Sequence, residues 1–102
     1  MRVISRKRLA GFANKHPDAR AALDAWFRTV KAARWTSIAD VRRVYPHADA
    51  VTVSSGRTVT VFNVRGNDYR LVIALHYNTG RAYVLRALTH AEYDKDAWKA
   101  QL

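Results

Sequence analysis

The chain has no cysteine, two prolines, four glycines, and 8 acidic residues against 18 Lys and Arg. Without cysteine there is no disulfide, no thiolate nucleophile and no Cys-based zinc site, and a reducing compartment suits such a chain; the cytoplasm is the expected location. No stretch approaches the roughly 20 apolar residues of a membrane-spanning helix. The opening MRVISRKRLAGF is charged but lacks the apolar core of a secretion leader, so a soluble protein without membrane association is expected. The four histidines form neither a helical pair nor an H-E-x-x-H pattern, and neither a metal site nor a cofactor is expected.

What is present is the composition of a folded chain, 49% hydrophobic and 25% charged over 102 residues. That length suits one domain, residues 1–102, with a core between two layers. The net charge of +10 favours polyanionic partners, nucleic acid first among them.

Arg2 to Ile4 is predicted as a short strand, and Ser5 as the N-cap of a helix through about Asn14, its stripe made of Leu9, Phe12 and Ala13. Pro17 suits the first turn of a second helix to about Ala33, in which Ala22, Leu23, Trp26, Phe27 and Val30 recur at spacings of three and four. A third helix starts at Thr36 or Ser37, carries Ile38, Val41 and Val44 inward, and stops before Pro46. From Ala50 the period changes to two. Strands are predicted at Val51 to Val53, Thr58 to Val64, Tyr69 to Tyr77 and Arg81 to Leu88, with a Gly66-Asn67 hairpin turn and a three-residue turn at Asn78 to Gly80. Thr89-His90-Ala91-Glu92 has capping-box spacing, and Asp94 or Asp96 can open a last helical turn around Trp98. The three tryptophans read as core residues.

The hairpin register sorts these strands into two faces. With Arg65 opposite Asp68, Phe62, Val64, Tyr69, Leu71, Ile73 and Leu75 share an apolar face that suits the helices. The other, half-open face carries Asn63 and Arg70 among valines. If the next turn holds three residues, Tyr77 pairs with Arg81 and Arg86 joins Arg70 on that face; a two-residue turn would send Arg86 away. His90 follows with the same parity, and Tyr93 lies just beyond. Two guanidiniums, an orienting amide and an imidazole can make a phosphate site, although parity alone favours reading them as ordinary residues on the solvated face of a sheet. Arg6-Lys7-Arg8 is a basic helix face that would help hold RNA.

The run FNVRGNDYRLVIALHYNTGRAYVLRALTHAEYDKDAW from Phe62 to Trp98, with the opening MRVISRKRL, resembles the HigB-type toxins of bacterial toxin–antitoxin modules, a branch of the RelE-like mRNA interferases. The resemblance implies an α+β fold, N-terminal helices against a twisted, mainly antiparallel sheet. It also implies endonuclease activity on mRNA, usually on the ribosome, and neutralisation by a helix-turn-helix antitoxin of the HigA type in a hetero-oligomer. It places Arg70, His90 and Tyr93 at the active site, and the register adds Arg86. Asn63, Arg65 and Asn67, with Arg6, Lys7 and Arg8, are the RNA-binding candidates. Metal-free cleavage would use the arginines on the phosphate and His90 as general acid. No Asp or Glu is predicted on this face, which leaves Tyr93, its pKa lowered by the arginines, or a basic side chain as the base. The alternatives are a non-catalytic RNA- or ribosome-binding module on the same face, and a DNA-binding regulator built on Ile38 to Val44, for which no Gly turn signal lies near Trp35.

Overall fold

The pattern that dominates the fold lies at Tyr69–Ile73, five consecutive buried residues where a half-solvated strand would alternate. The computed structural model describes all 102 residues. Its elements in order are β1 (Arg2–Ile4), α1 (Arg6–Lys15), a 3₁₀ turn (Pro17–Ala19), α2 (Arg20–Ala32), α3 (Ile38–Val44), β2 (Asp49–Thr52), β3 (Thr58–Val64), β4 (Tyr69–His76), β5 (Arg81–Thr89), α4 (His90–Asp94) and α5 (Ala97–Ala100). The strands form one sheet in the order β1-β5-β4-β3-β2, antiparallel except for the β1–β5 pair. The architecture is therefore α+β, with the N-terminal helices on one face of a mostly antiparallel sheet.

On that face Leu9, Leu23, Trp26 and Val30 meet Phe62, Val64, Tyr69, Leu71 and Ile73 in the larger core. Trp26 packs edge-on to Phe62 at 5.5 Å between ring centroids, and Trp35 stacks on the same ring at 6.2 Å. The predicted inward stripe of α3 needs one correction. Ile38 and Val41 turn in, but Val44 is 51% exposed. It is the last residue of its helix, and the chain then turns so that Tyr45 packs against Phe62 and Trp35 instead.

The β3–β4 hairpin has the predicted register, with Asn63 opposite Arg70 and Val64 opposite Tyr69. Asp68 N–H donates to Arg65 O at 3.2 Å across Gly66-Asn67. Gly66 sits at φ +64°, a conformation glycine adopts without steric cost.

The next turn differs from expectation. His76, not Tyr77, pairs with Arg81, so the connection holds the four residues Tyr77 to Gly80. That shift alone would move Arg86 to the helical face. A β-bulge reverses it: Ile73 pairs with Val84 but Val72 with Arg86, leaving Leu85 as the extra residue. Arg86 thus reaches the predicted face by a different route.

The second face is also more covered than a half-open sheet. Val53, Val59, Val61, Val72 and Leu88 form a smaller core beneath Trp98, with Tyr93, Leu85 and Leu102 packed against it. The segment after β5 folds back over the sheet because Thr89 caps α4 in a full capping box with Glu92, and Trp98 Nε1 donates to Tyr93 O at 3.1 Å.

Three carboxylates fasten local structure, and each is held below its ordinary pKa. Asp18 accepts from the Tyr69 hydroxyl at 2.6 Å with Arg65 close by; Asp40 accepts from the Thr36 amide and hydroxyl; Glu92 accepts from the Thr89 amide. A lowered folded-state pKa means that the unfolded chain binds protons first as pH falls. The stability from these groups is complete above about pH 4.5 and is lost as pH drops through their lowered values. Thermal melting between pH 6 and 2.5 is expected to show that loss, and Asp18→Asn to flatten it; an unchanged pH dependence in the variant would remove Asp18 from the account.

Candidate active site

Arg70 occupies the second position of the central strand, and its neighbours dictate its environment. With Tyr69 and Leu71 committed to the helical core, Arg70 points to the face covered by the C-terminal segment and is only 9% exposed. Its Nη1 donates to Asn67 O at 2.8 Å and Tyr69 O at 3.2 Å, and the guanidinium carbon lies 5.5 Å from the centre of the Tyr93 ring. No carboxylate forms a salt bridge with it. The guanidinium is desolvated and supported by carbonyl dipoles and an aromatic face; Asp49, on the same face opposite Val61, acts on the neighbouring Tyr93 but forms no ion pair with Arg70.

Asn63, across the ladder from Arg70, donates from Nδ2 to Asn67 Oδ1 at 3.4 Å. The two amides therefore flank the guanidinium. His90 begins α4 beside the same turn, where its amide donates to Asp68 O at 3.0 Å. Its side chain is 54% exposed, with Nδ1 3.2 Å from Asp94 Oδ2. A carboxylate against one ring nitrogen orients the imidazole and leaves Nε2 for other partners.

The expectation of no acidic residue on this face is corrected by Asp49, which β2 sets opposite Val61 on the same side as Arg86, and beside the face Asp94 contacts His90. For Asp94 the available signal was the i,i+4 spacing from His90 behind a capping box. The hairpin register took no account of the helix after β5, which sets His90 and Asp94 side by side.

Residues 19–96 match the model of the HigB toxin family, described as the RelE-like toxic component of a toxin–antitoxin system. The chain belongs to this family. It is 29% identical over 94 residues to the mRNA interferase toxin HigB of Escherichia coli strain K12, which covers 92% of this chain and 88% of that protein. The mRNA interferase HigB of Shigella flexneri matches to the same extent, and that of Escherichia coli O6:H1 is 27% identical over 95 residues, 93% of this chain and 90% of that one.

In this HigB-family toxin the other candidates are placed as follows. Arg86 is half-buried near Arg70 and likewise lacks an acidic partner; its Nη1 donates to Leu85 O at 2.7 Å and its Nη2 to Gln101 Oε1 at 3.4 Å. Arg65 is already compensated, since it pairs with Asp68 and lies 3.3 Å from Asp18. Arg6, Lys7 and Arg8 lie on α1, in the layer across the sheet from Arg70, and Arg6 stacks over Phe27 at 4.2 Å.

Tyr93 does not acquire the lowered pKa that a base would need. Burial pushes its phenol up, Asp49 adds to the rise, and Lys99 and Arg70 oppose them without prevailing. Stacked on Trp98 at 5.3 Å, it is a neutral wall for Arg70. Trp98→Ala is expected to cost about 3–5 kcal/mol and to loosen this wall. Chemical denaturation measures the first effect, and burial of Tyr93, followed by quenching, the second; a loss below 1 kcal/mol would show that the cover is not cooperative with the sheet.

Proposed function

We propose that this toxin is an endoribonuclease that cleaves translated mRNA on the ribosome without a metal cofactor, and that a helix-turn-helix antitoxin of the HigA type neutralises it in a hetero-oligomer. The single observation that carries the catalytic reading is the buried Arg70, which has no carboxylate partner and is flanked by Asn63 and Asn67, with His90 at the neighbouring turn. The names of its HigB relatives supply the substrate.

Arg70 holds the scissile phosphate, and Arg86 adds positive potential as charge develops on the phosphorane oxygens. The ribose 2′-hydroxyl gives its proton to a solvent water, its oxygen attacks the adjacent phosphorus, and the bond to the 5′-oxygen breaks. His90, steadied by Asp94, transfers its proton to that departing oxygen. The products are a 2′,3′-cyclic phosphate and a 5′-hydroxyl. Tyr93 keeps Arg70 desolvated, and the ribosome positions the message against a site that has few groups of its own. The metal-free route is supported by the donor set, because no three His, Cys, Asp or Glu side chains converge to hold an ion.

Expression without antitoxin is expected to arrest growth with cleavage of message. Arg70→Ala and His90→Ala should each slow cleavage by about two orders of magnitude while leaving the circular dichroism spectrum unchanged, and EDTA should have no effect. Message that stays intact during growth arrest would sink the nuclease reading in favour of inhibition by binding alone.

A further inference from the structure

The C-terminal segment covers one end of the second sheet face and reaches the other only with Leu102. At the other end, between β3, β4 and β5, a groove of about 630 Å³ remains, floored by Val59, Ala74, Tyr83 and Leu85. The bulge helps to build it, since the extra residue Leu85 adds its side chain to this apolar surface. His76 and Arg57 stand at the margin, and Arg81 pairs with His76 across the ladder. None of the lining residues is acidic. Neither Arg57 nor Arg81 makes an ion pair, and the side-chain hydrogen bond of Arg81 goes to the Tyr83 hydroxyl at 3.5 Å.

We propose that this groove receives an acidic, amphipathic segment of the antitoxin, with apolar side chains on the floor and carboxylates against Arg57 and Arg81. The proposal rests on the toxin–antitoxin pairing of the family and not on the nuclease reading, so the two fail separately. Charge selects this occupant. A second copy of the chain would bring another +10 against the same cations. Nucleic acid would find a single tyrosine, Tyr83, to stack on, and His76 already packs edge-on against that ring at 4.9 Å and 65°. A volume within the range of preformed ligand sites admits two or three anchoring side chains, and a cationic rim speeds the encounter with an acidic partner. Six residue steps along β4 take the chain from Arg70 to His76, roughly 20 Å at the strand rise, so the segment is held away from Arg70.

The test uses this toxin chain and its cognate antitoxin. Arg57→Glu with Arg81→Glu, both on exposed side chains, is expected to weaken the complex by about tenfold or more, to leave cleavage unchanged and to defeat rescue of growth. Arg28→Glu with Lys31→Glu, an equal change in net charge on α2, should retain near-normal affinity. The chain's lack of cysteine permits a second measurement: His76→Cys should be alkylated freely in the toxin alone and shielded in the complex. Unchanged affinity in the first pair, an equal loss in both pairs, or equal alkylation with and without antitoxin would each overturn the proposal. Loss of ribosome binding with antitoxin binding intact would do so too, and would make the groove an RNA surface.

Discussion

A charge placed where both faces of a strand are covered is the constraint on which this molecule turns. β4 lies in the middle of the sheet, with the helices on one side and Trp98 with Tyr93 on the other. An arginine at its second position must give up most of its water. The loss is offset by Asn67 O, Tyr69 O and the Tyr93 ring, none of which carries a full negative charge. Burial of a guanidinium without a carboxylate lowers the stability of the free protein. In the proposed reading a phosphate restores the missing charge, so the feature that costs the free fold stability is the one that would favour an anion.

The C-terminal segment divides the second face into two working ends. One end is roofed and holds a desolvated cation beside the His90–Asp94 pair; the other is open, apolar and edged with arginines. A single bulge at Leu85 serves both. It returns Arg86 to the roofed end and contributes an apolar side chain to the open one. One inserted residue therefore decides two surfaces, and neither can be shifted in register without the other.

Much of this was legible from periodicity. The helical stripes around Leu9 and Trp26, the strand limits Thr58–Val64 and the Arg65–Asp68 closure of the hairpin all follow from local chemistry, because each is set by residues close in sequence. The second hairpin was not. A turn at Asn78 to Gly80 and a longer loop with a compensating bulge both put Arg86 opposite Val72, and no residue type at Leu85 marks the insertion. The roof was missed for a similar reason: Trp98 could be recognised as a core residue, but not which core it enters. Asp94 became a partner of His90 only because a capped helix replaced the extended chain whose parity had been followed. Val44 fits the helical period and is exposed because its helix stops there.

The edge strand β1 carries a consequence for the timing of synthesis. Arg2 to Ile4 pair in parallel with Arg81 to Tyr83, so the first strand made must wait for nearly the last before its ladder can close. His90, Tyr93, Asp94 and Trp98 follow later still. Contacts so distant in sequence form slowly and cannot form at all on a partial chain. The cluster around Arg70 therefore stays unassembled until residues as late as Trp98 have been made, so the order of the chain itself sets when this face can close.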